Sequence, residues 1–272
     1  MATQEITSTM TATDPILVER RGGVGVVTFN NPARHNAMSL AMWRDAAAAV
    51  ATFADDDAVR CVVLTGAGNK AFVAGADISK FENERASVEH IEVYNEAVSN
   101  YHKTVQGLMK PTIARIDGYC IGGGLAIALD CDIRICSEDA RFAVPAAKLG
   151  IGYAFEGVRR LYDIVGPQFV AEIFYTARQF DAEEARIMGL VNRVVPKAEL
   201  DDAIWPLAER IAGNAPLSIA AVKHSLMELV KPQKDWDLEA VNRTVAKCFD
   251  SQDYKEGRTA FMEKRKPNFT GS

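Results

Sequence analysis

The sequence has no apolar run approaching the roughly 20 residues that span a bilayer, so no membrane partner is expected. It has no excess of positive charge either: 31 Lys and Arg face 36 Asp and Glu, for a net charge of -5. That balance excludes a broad nucleic-acid-binding face, while leaving room for a local basic site for phosphates. Cysteine is scarce, with five residues at positions 61, 120, 131, 136 and 248. The count is odd, the spacing fits no zinc motif, and four of the five sit in apolar segments. Buried, reduced thiols in a cytoplasmic protein are the expectation. The four histidines (35, 90, 102 and 224) are scattered, form no metal motif, and read as surface or structural groups. The segment from Met1 to Asp14 lacks both basic residues and an apolar centre. It reads as a loose tail, not a signal or transit peptide.

What is present is a chain of 272 residues, 48% hydrophobic, enough for one large domain or a domain with an appendage. Ile16 to Arg20 and Val24 to Phe29 read as strands joined by a Gly22-Gly23 turn. Ser39 is placed to cap an alanine-rich helix running to about Ala54. Further strands are predicted at Cys61 to Thr65, Pro111 to Ile116, Ile133 to Cys136 and Arg141 to Val144. Helical patterns cover Val88 to Leu108, the fully apolar Leu125 to Leu129, and most of the chain after Gly166. The organisation expected is a tail (1–14), an α/β core (15–200) and a helical C-terminal region (201–272). No strict internal sequence repeat is visible.

Two glycine-rich turns carry the chemistry. One reads Phe72-Val73-Ala74-Gly75-Ala76-Asp77-Ile78, the other Asp117-Gly118-Tyr119-Cys120-Ile121-Gly122-Gly123-Gly124-Leu125-Ala126. Each follows a β-branched run and precedes helix-like sequence. Strand-to-helix turns leave backbone N–H groups free to bind negative charge. Two such turns can supply the paired donors of an oxyanion hole. Alternatively, the glycines serve only to make tight turns.

Together with Asn31-Pro32-Ala33-Arg34-His35-Asn36-Ala37, Phe142-Ala143-Val144-Pro145 and Phe261-Met262-Glu263-Lys264-Arg265, these turns resemble the crotonase superfamily, also called the enoyl-CoA hydratase/isomerase family. The resemblance runs from about Ile16 to Phe269. It implies an α/β spiral of repeated strand-strand-helix (ββα) units. It also implies a C-terminal helical region that builds homotrimers or homohexamers. The substrate implied is an acyl-CoA thioester. Coenzyme A then enters as part of the substrate, and no metal or other cofactor is called for. By this resemblance the backbone N–H groups of Ala76 and Gly123 stabilise a thioester enolate. Ala74 contacts adenine through its backbone, and Ile78, Gly122, Ala126 and Ala146 line the substrate. Arg34 lies beside a basic phosphate position. Phe261 and Lys264 reach the CoA of a neighbouring subunit. The family's lysine after the Asp-Ile pair is Ser79 here, with Lys80 one residue on.

The chain also departs from the family. Hydratases use two glutamates, at the positions of Ala126 and Ala146. A methyl group cannot move a proton, so crotonyl-CoA hydration is expected to be weak or absent. The aspartate of the isomerases and a dehalogenase is replaced by Ala154. The stretch from Lys148 to Gly157 instead resembles methylmalonyl-CoA decarboxylases, whose active-site tyrosine matches Tyr153. Those enzymes have a histidine where this chain has Ala76. Decarboxylation generates an enolate without a base, with Tyr153 as a proton or hydrogen-bond donor. Glu156 is the rival acid, for double-bond isomerisation or atypical hydration. If it points outward it is expected to pair with Arg159 or Arg160. A third reading is a non-catalytic acyl-CoA-binding protein. Asp130 and Asp132 read as structural.

Overall fold

The computed structural model describes residues 6–8 and 13–272, with backbone only for 6–8 and for Phe81. Its strands are β1 (Ile6–Ser8), β2 (Ile16–Arg21), β3 (Val24–Phe29), β4 (Cys61–Gly66), β5 (Ala71–Val73), β6 (Thr112–Ile116), β7 (Tyr119–Ile121), β8 (Ile133–Ser137), β9 (Arg141–Ala143), β10 (Phe180–Asp181) and β11 (Arg193–Val195). Its helices are α1 (Leu40–Thr52), α2 (Phe81–Glu84), α3 (Val88–Gly107), α4 (Gly123–Asp130), α5 (Phe155–Thr176), α6 (Ala182–Ile187), α7 (Leu200–Ala212), α8 (Pro216–Leu229), α9 (Leu238–Asp250) and α10 (Gln252–Glu263).

Seven strands form one sheet in the order β1-β2-β3-β4-β6-β8-β11, and four form a second in the order β10-β9-β7-β5. The chain alternates between them. β4, β6 and β8 lie side by side in the large sheet, and each is followed by a short strand of the small sheet (β5, β7, β9). After each short strand the chain turns into helix. This is the strand-strand-helix spiral expected, repeated three times without repeating its sequence.

The central parallel strands β3, β4, β6 and β8 are buried on both faces, as parallel strands usually are. Its period-two alternation decides which residue faces which layer. Val24, Val26, Cys61, Val63, Ile113 and Ile135 pack against Leu200, Ile204 and Ala208 of α7. Val27, Phe29, Val62 and Leu64 face the main core with Trp43, Phe72, Tyr101 and Leu125. Thus the first helix of the C-terminal region belongs to the packing of the core. Beyond it, α8 packs on α9 and α9 on α10.

Local signals explain most boundaries. Ser39 caps α1 by accepting from the Met42 N–H at 3.3 Å, and Ser87 caps α3 through His90 N–H at 3.2 Å. The helical pattern expected after Gly166 begins as the second half of α5. The two halves meet at Gly166, whose φ of 77° and ψ of 169° are not helical, with Pro167 beginning the second half. Two expectations change. Ile6–Ser8, read as part of a loose tail, pairs antiparallel with β2; the remainder of the tail up to residue 12 lies outside the described residues. The first glycine-rich turn opens only short helical pieces. After Asp77 come a single 3-10 turn at Ile78–Lys80 and the four-residue α2.

Candidate active site

The first turn is held from below by the segment before α1. Ala74 N–H donates to His35 O at 3.0 Å, Met38 N–H to Gly75 O at 2.8 Å, and Asp77 N–H to Met38 O at 2.9 Å. The Gly75 and Ala76 N–H groups in this run have no acceptor among the described residues. Asn36 fixes the supporting segment. Fully buried, its side-chain amide donates to Ala67 O at 3.0 Å and Ala71 O at 2.8 Å, while its Oδ1 accepts from Asn31 N–H at 2.9 Å. Gly75 has a φ of 101°, a region closed to most side chains. Ser79, where the family carries lysine, is tied to Asp77 Oδ1 at 2.6 Å through its hydroxyl.

The second turn starts α4. Gly122 N–H is spent on Ala143 O at 2.8 Å, and helical bonding resumes with Ala126 N–H on Gly122 O at 3.0 Å. The N–H groups between them are the orphans of a first helical turn, at the positive end of the helix dipole. A Cβ added to Gly123 would lie 3.9 Å from the carbonyl carbon of Gly75, the atom bonded to Ala76 N, and 3.3 Å from Trp43 Cζ2. The two turns are therefore in contact. Trp43 is held beneath them, its indole N–H donating to Tyr94 Oη at 2.9 Å.

Around this pair the structure brings some predicted residues together and leaves others apart. Past the glycines, Ala126 is the residue of α4 that keeps partial exposure, and Ala146 is buried nearby in the 3-10 turn Pro145–Lys148. Tyr153 packs edge-on against Phe174, ring centroids 4.8 Å apart. The residue is 36% exposed overall, yet the surroundings of its phenol push it up to about 12, chiefly by desolvation, with the Asp130 carboxylate adding to the shift. Glu156 is exposed at the start of α5. Its expected pairing with Arg159 or Arg160 does not form: Arg159 reaches Val230 O and Asp163, and Arg160 reaches Leu129 O. Arg34, Ile78 and Lys80 are exposed, as are Phe261 and Lys264 at the end of α10, whose packing is with α9.

The thiols are unsuited to such chemistry. Burial pushes Cys61 and Cys136 up to about 12 and raises Cys120 and Cys131 further above the thiol range. All five cysteines are free. No group of three or more His, Cys, Asp or Glu among the described residues is placed to hold a metal ion. No helix among them is long and apolar enough to cross a membrane.

One cluster escaped the sequence reading. Asp130, only 3% exposed, accepts from Gln106 Nε2 at 2.7 Å and faces His102 Nδ1. His102 and Gln106 are one turn apart on α3, and Asp130 is one turn from Ala126 on α4. The four-residue spacings were visible in the sequence. The packing of α3 on α4 was not.

Residues 19–272 match the sequence profile of enoyl-CoA hydratase/isomerase. The chain belongs to the enoyl-CoA hydratase/isomerase family. Among its relatives is the short-chain-enoyl-CoA hydratase of Clostridium acetobutylicum, 36% identical over 251 residues, covering 92% of this chain and 95% of that one. The carnitinyl-CoA dehydratase of Escherichia coli is 35% identical over 269 residues, covering 93% and 97%. A solved enoyl-CoA hydratase/carnithine racemase from Magnetospirillum magneticum superposes with a TM-score of 0.92 at 37% identity, covering 97% of each chain. The fold of this family member is the crotonase fold.

Proposed function

We propose that this family member is a cytoplasmic enzyme acting on an acyl-CoA thioester, with Ala76 and Gly123 N–H groups stabilising the enolate oxygen. The observation that carries this reading is the contact between two turns that each present N–H groups with no acceptor among the described residues. Fixed dipoles aimed at a developing oxyanion need no reorganisation during reaction, which makes them effective.

The reaction favoured is decarboxylation of a short malonyl-type thioester. The bond from Cα to the carboxylate breaks, its electron pair passes into the enolate, and carbon dioxide leaves. A proton then returns to Cα, from Tyr153 or from water that Tyr153 orients. Burial keeps the Tyr153 phenol protonated, so it acts as a donor. The alanines at 126 and 146 support this choice, since no base is needed to form the enolate and water is given no acid to activate it. The relatives' names describe hydratases and a dehydratase, which favours the second reading, hydration or isomerisation through Glu156. Its support here is that Glu156 is exposed and has no ion pair among the described residues. A non-catalytic acyl-CoA binder is the third.

The active form we propose is a homotrimer or a dimer of trimers, with Phe261 and Lys264 reaching a neighbour's CoA, while Arg34 and Lys80 lie near the phosphates of the CoA in their own subunit. In support, large apolar side chains are exposed along the C-terminal helices, including Leu229 at 60%, Phe249 at 61% and Phe261 at 82%. The deciding experiment is mass spectrometry after incubation with malonyl-, methylmalonyl-, crotonyl- and 3-enoyl-CoA, with conjugation absorbance for isomerisation. Loss of carbon dioxide supports the favoured reading. Gain of water or a shifted double bond transfers the role to Glu156. Binding without change on every thioester supports the third reading.

A further inference from the structure

The His102–Asp130 pair is unused by the chemistry above. Asp130 follows Ala126 by four residues, so both share a face of α4, with Asp130 about 6 Å further from the helix start. Ala126 is partly open and Asp130 is closed off by α3. Within the pair the imidazole is the outer member: the His102 side chain is 23% exposed, that of Asp130 only 2%. In the neutral imidazole, a proton held at Nδ1 by Asp130 leaves Nε2 as an acceptor. No partner occupies Nε2 among the described residues. Trp43 connects this pair to the oxyanion turns. Its ring lies 5.7 Å from the imidazole and touches the Cβ position of Gly123.

A tie between α3 and α4 would be met by Gln106 alone, which already donates to Asp130. A buried carboxylate is costly unless its remaining lone pairs are used. Here they hold an imidazole whose other nitrogen points away from the carboxylate, and the carboxylate is close enough to Tyr153 to act on its phenol. The arrangement is that of a positioned hydrogen-bond acceptor.

We propose that the His102–Asp130 pair is the far wall of the acyl site and accepts, at His102 Nε2, a hydrogen bond from a hydroxyl carried at the distal end of the acyl chain. His102 is the specificity-determining residue and Asp130 its positioning residue. A carboxylate at the far end of a six-carbon chain is disfavoured, because Asp130 places negative charge directly behind the ring; the malonyl-type carboxylate on Cα lies nearer the thioester and does not reach this wall. The proposal rests on the acyl-CoA reading given above.

The test is calorimetric binding of hexanoyl-CoA, its terminally hydroxylated counterpart and its terminally carboxylated counterpart to the full chain. The hydroxylated thioester should bind about tenfold more tightly than hexanoyl-CoA, in the range expected of one discriminating hydrogen bond. His102→Phe should erase that preference while binding hexanoyl-CoA at least as well. Asp130→Asn should reduce the preference and leave hexanoyl-CoA binding in place, a split that a purely structural role would not produce. Equal binding of the two neutral thioesters by the unaltered protein overturns the proposal and leaves the acyl-CoA reading standing. Tighter binding of the carboxylated thioester also overturns it. Failure of all three to bind overturns the acyl-CoA reading itself. The comparison in the unaltered protein decides the matter even if either variant fails to fold.

Discussion

A methyl group on Gly124 would lie 2.0 Å from the carbonyl oxygen of Val73, so α4 begins in direct backbone contact with β5. That contact brings the second turn against the first. It lets two short segments, some 50 residues apart in the chain, present their N–H groups to one point. Gly124→Ala must push β5 and α4 apart. The expected cost is about 3 kcal/mol, seen as a melting temperature lower by several degrees. A melting point unchanged from the parent protein would show that the contact is not tight.

Asn36 supports the same turn from the other side through three hydrogen bonds made in full burial. Asn36→Ala should cost about 2–4 kcal/mol, because buried backbone groups lose their partners. Urea unfolding would measure this. Thioester turnover should fall further than stability alone predicts, since the Ala76 N–H loses its fixed direction.

Ala126 and Ala146 occupy the positions at which the family resemblance places glutamates. Restoring both, as Ala126→Glu with Ala146→Glu, should raise crotonyl-CoA hydration by about 100-fold or more. Loss of enoyl absorbance reads this directly. A double variant no faster than the parent would mean that these positions do not face the thioester.

Tyr153 and Glu156 separate the two leading reactions. Tyr153→Phe should slow carbon dioxide release or reprotonation by about tenfold or more, with Glu156→Gln near the parent rate. The reverse pattern assigns the chemistry to Glu156.

Alkaline stability offers a test of burial. Cys61 and Cys136 are held up to about 12 in the folded chain, chiefly by burial, against an ordinary value of 9.0. Below pH 9 folded and unfolded thiols are both protonated, and the folded state's advantage is fully present. As pH rises from about 9 towards about 12, the unfolded thiols ionise first, so unfolding is favoured increasingly with pH. Cys61→Val keeps the apolar contact with α7 and removes one titrating group. Its stability should therefore fall less steeply across this window in chemical denaturation. Identical slopes would mean that Cys61 ionises freely in the folded protein.

Much of this protein was legible along the chain. The strands at Val24–Phe29 and Cys61–Gly66, the cap at Ser39, and the buried α4 follow from periodicity and side-chain chemistry within a few residues. The two glycine-rich turns and the alanines at 126 and 146 were visible as well, because the demand on those positions is local: little or no side chain. What the tertiary structure decided was longer in range. Strands of three residues such as β5 and β7 are too short for a periodic signal and exist because they pair with each other. The Ala76 N–H is freed by Met38, whose N–H and carbonyl engage Gly75 and Asp77 on either side of it. His102 and Asp130, separated by 28 residues, become one group only when α3 packs on α4. Local sequence sets backbone preference and the inward face of each element. Which two faces meet is settled by burial and hydrogen bonding across the whole fold, and there the carboxylate of Asp130 acquires its partner.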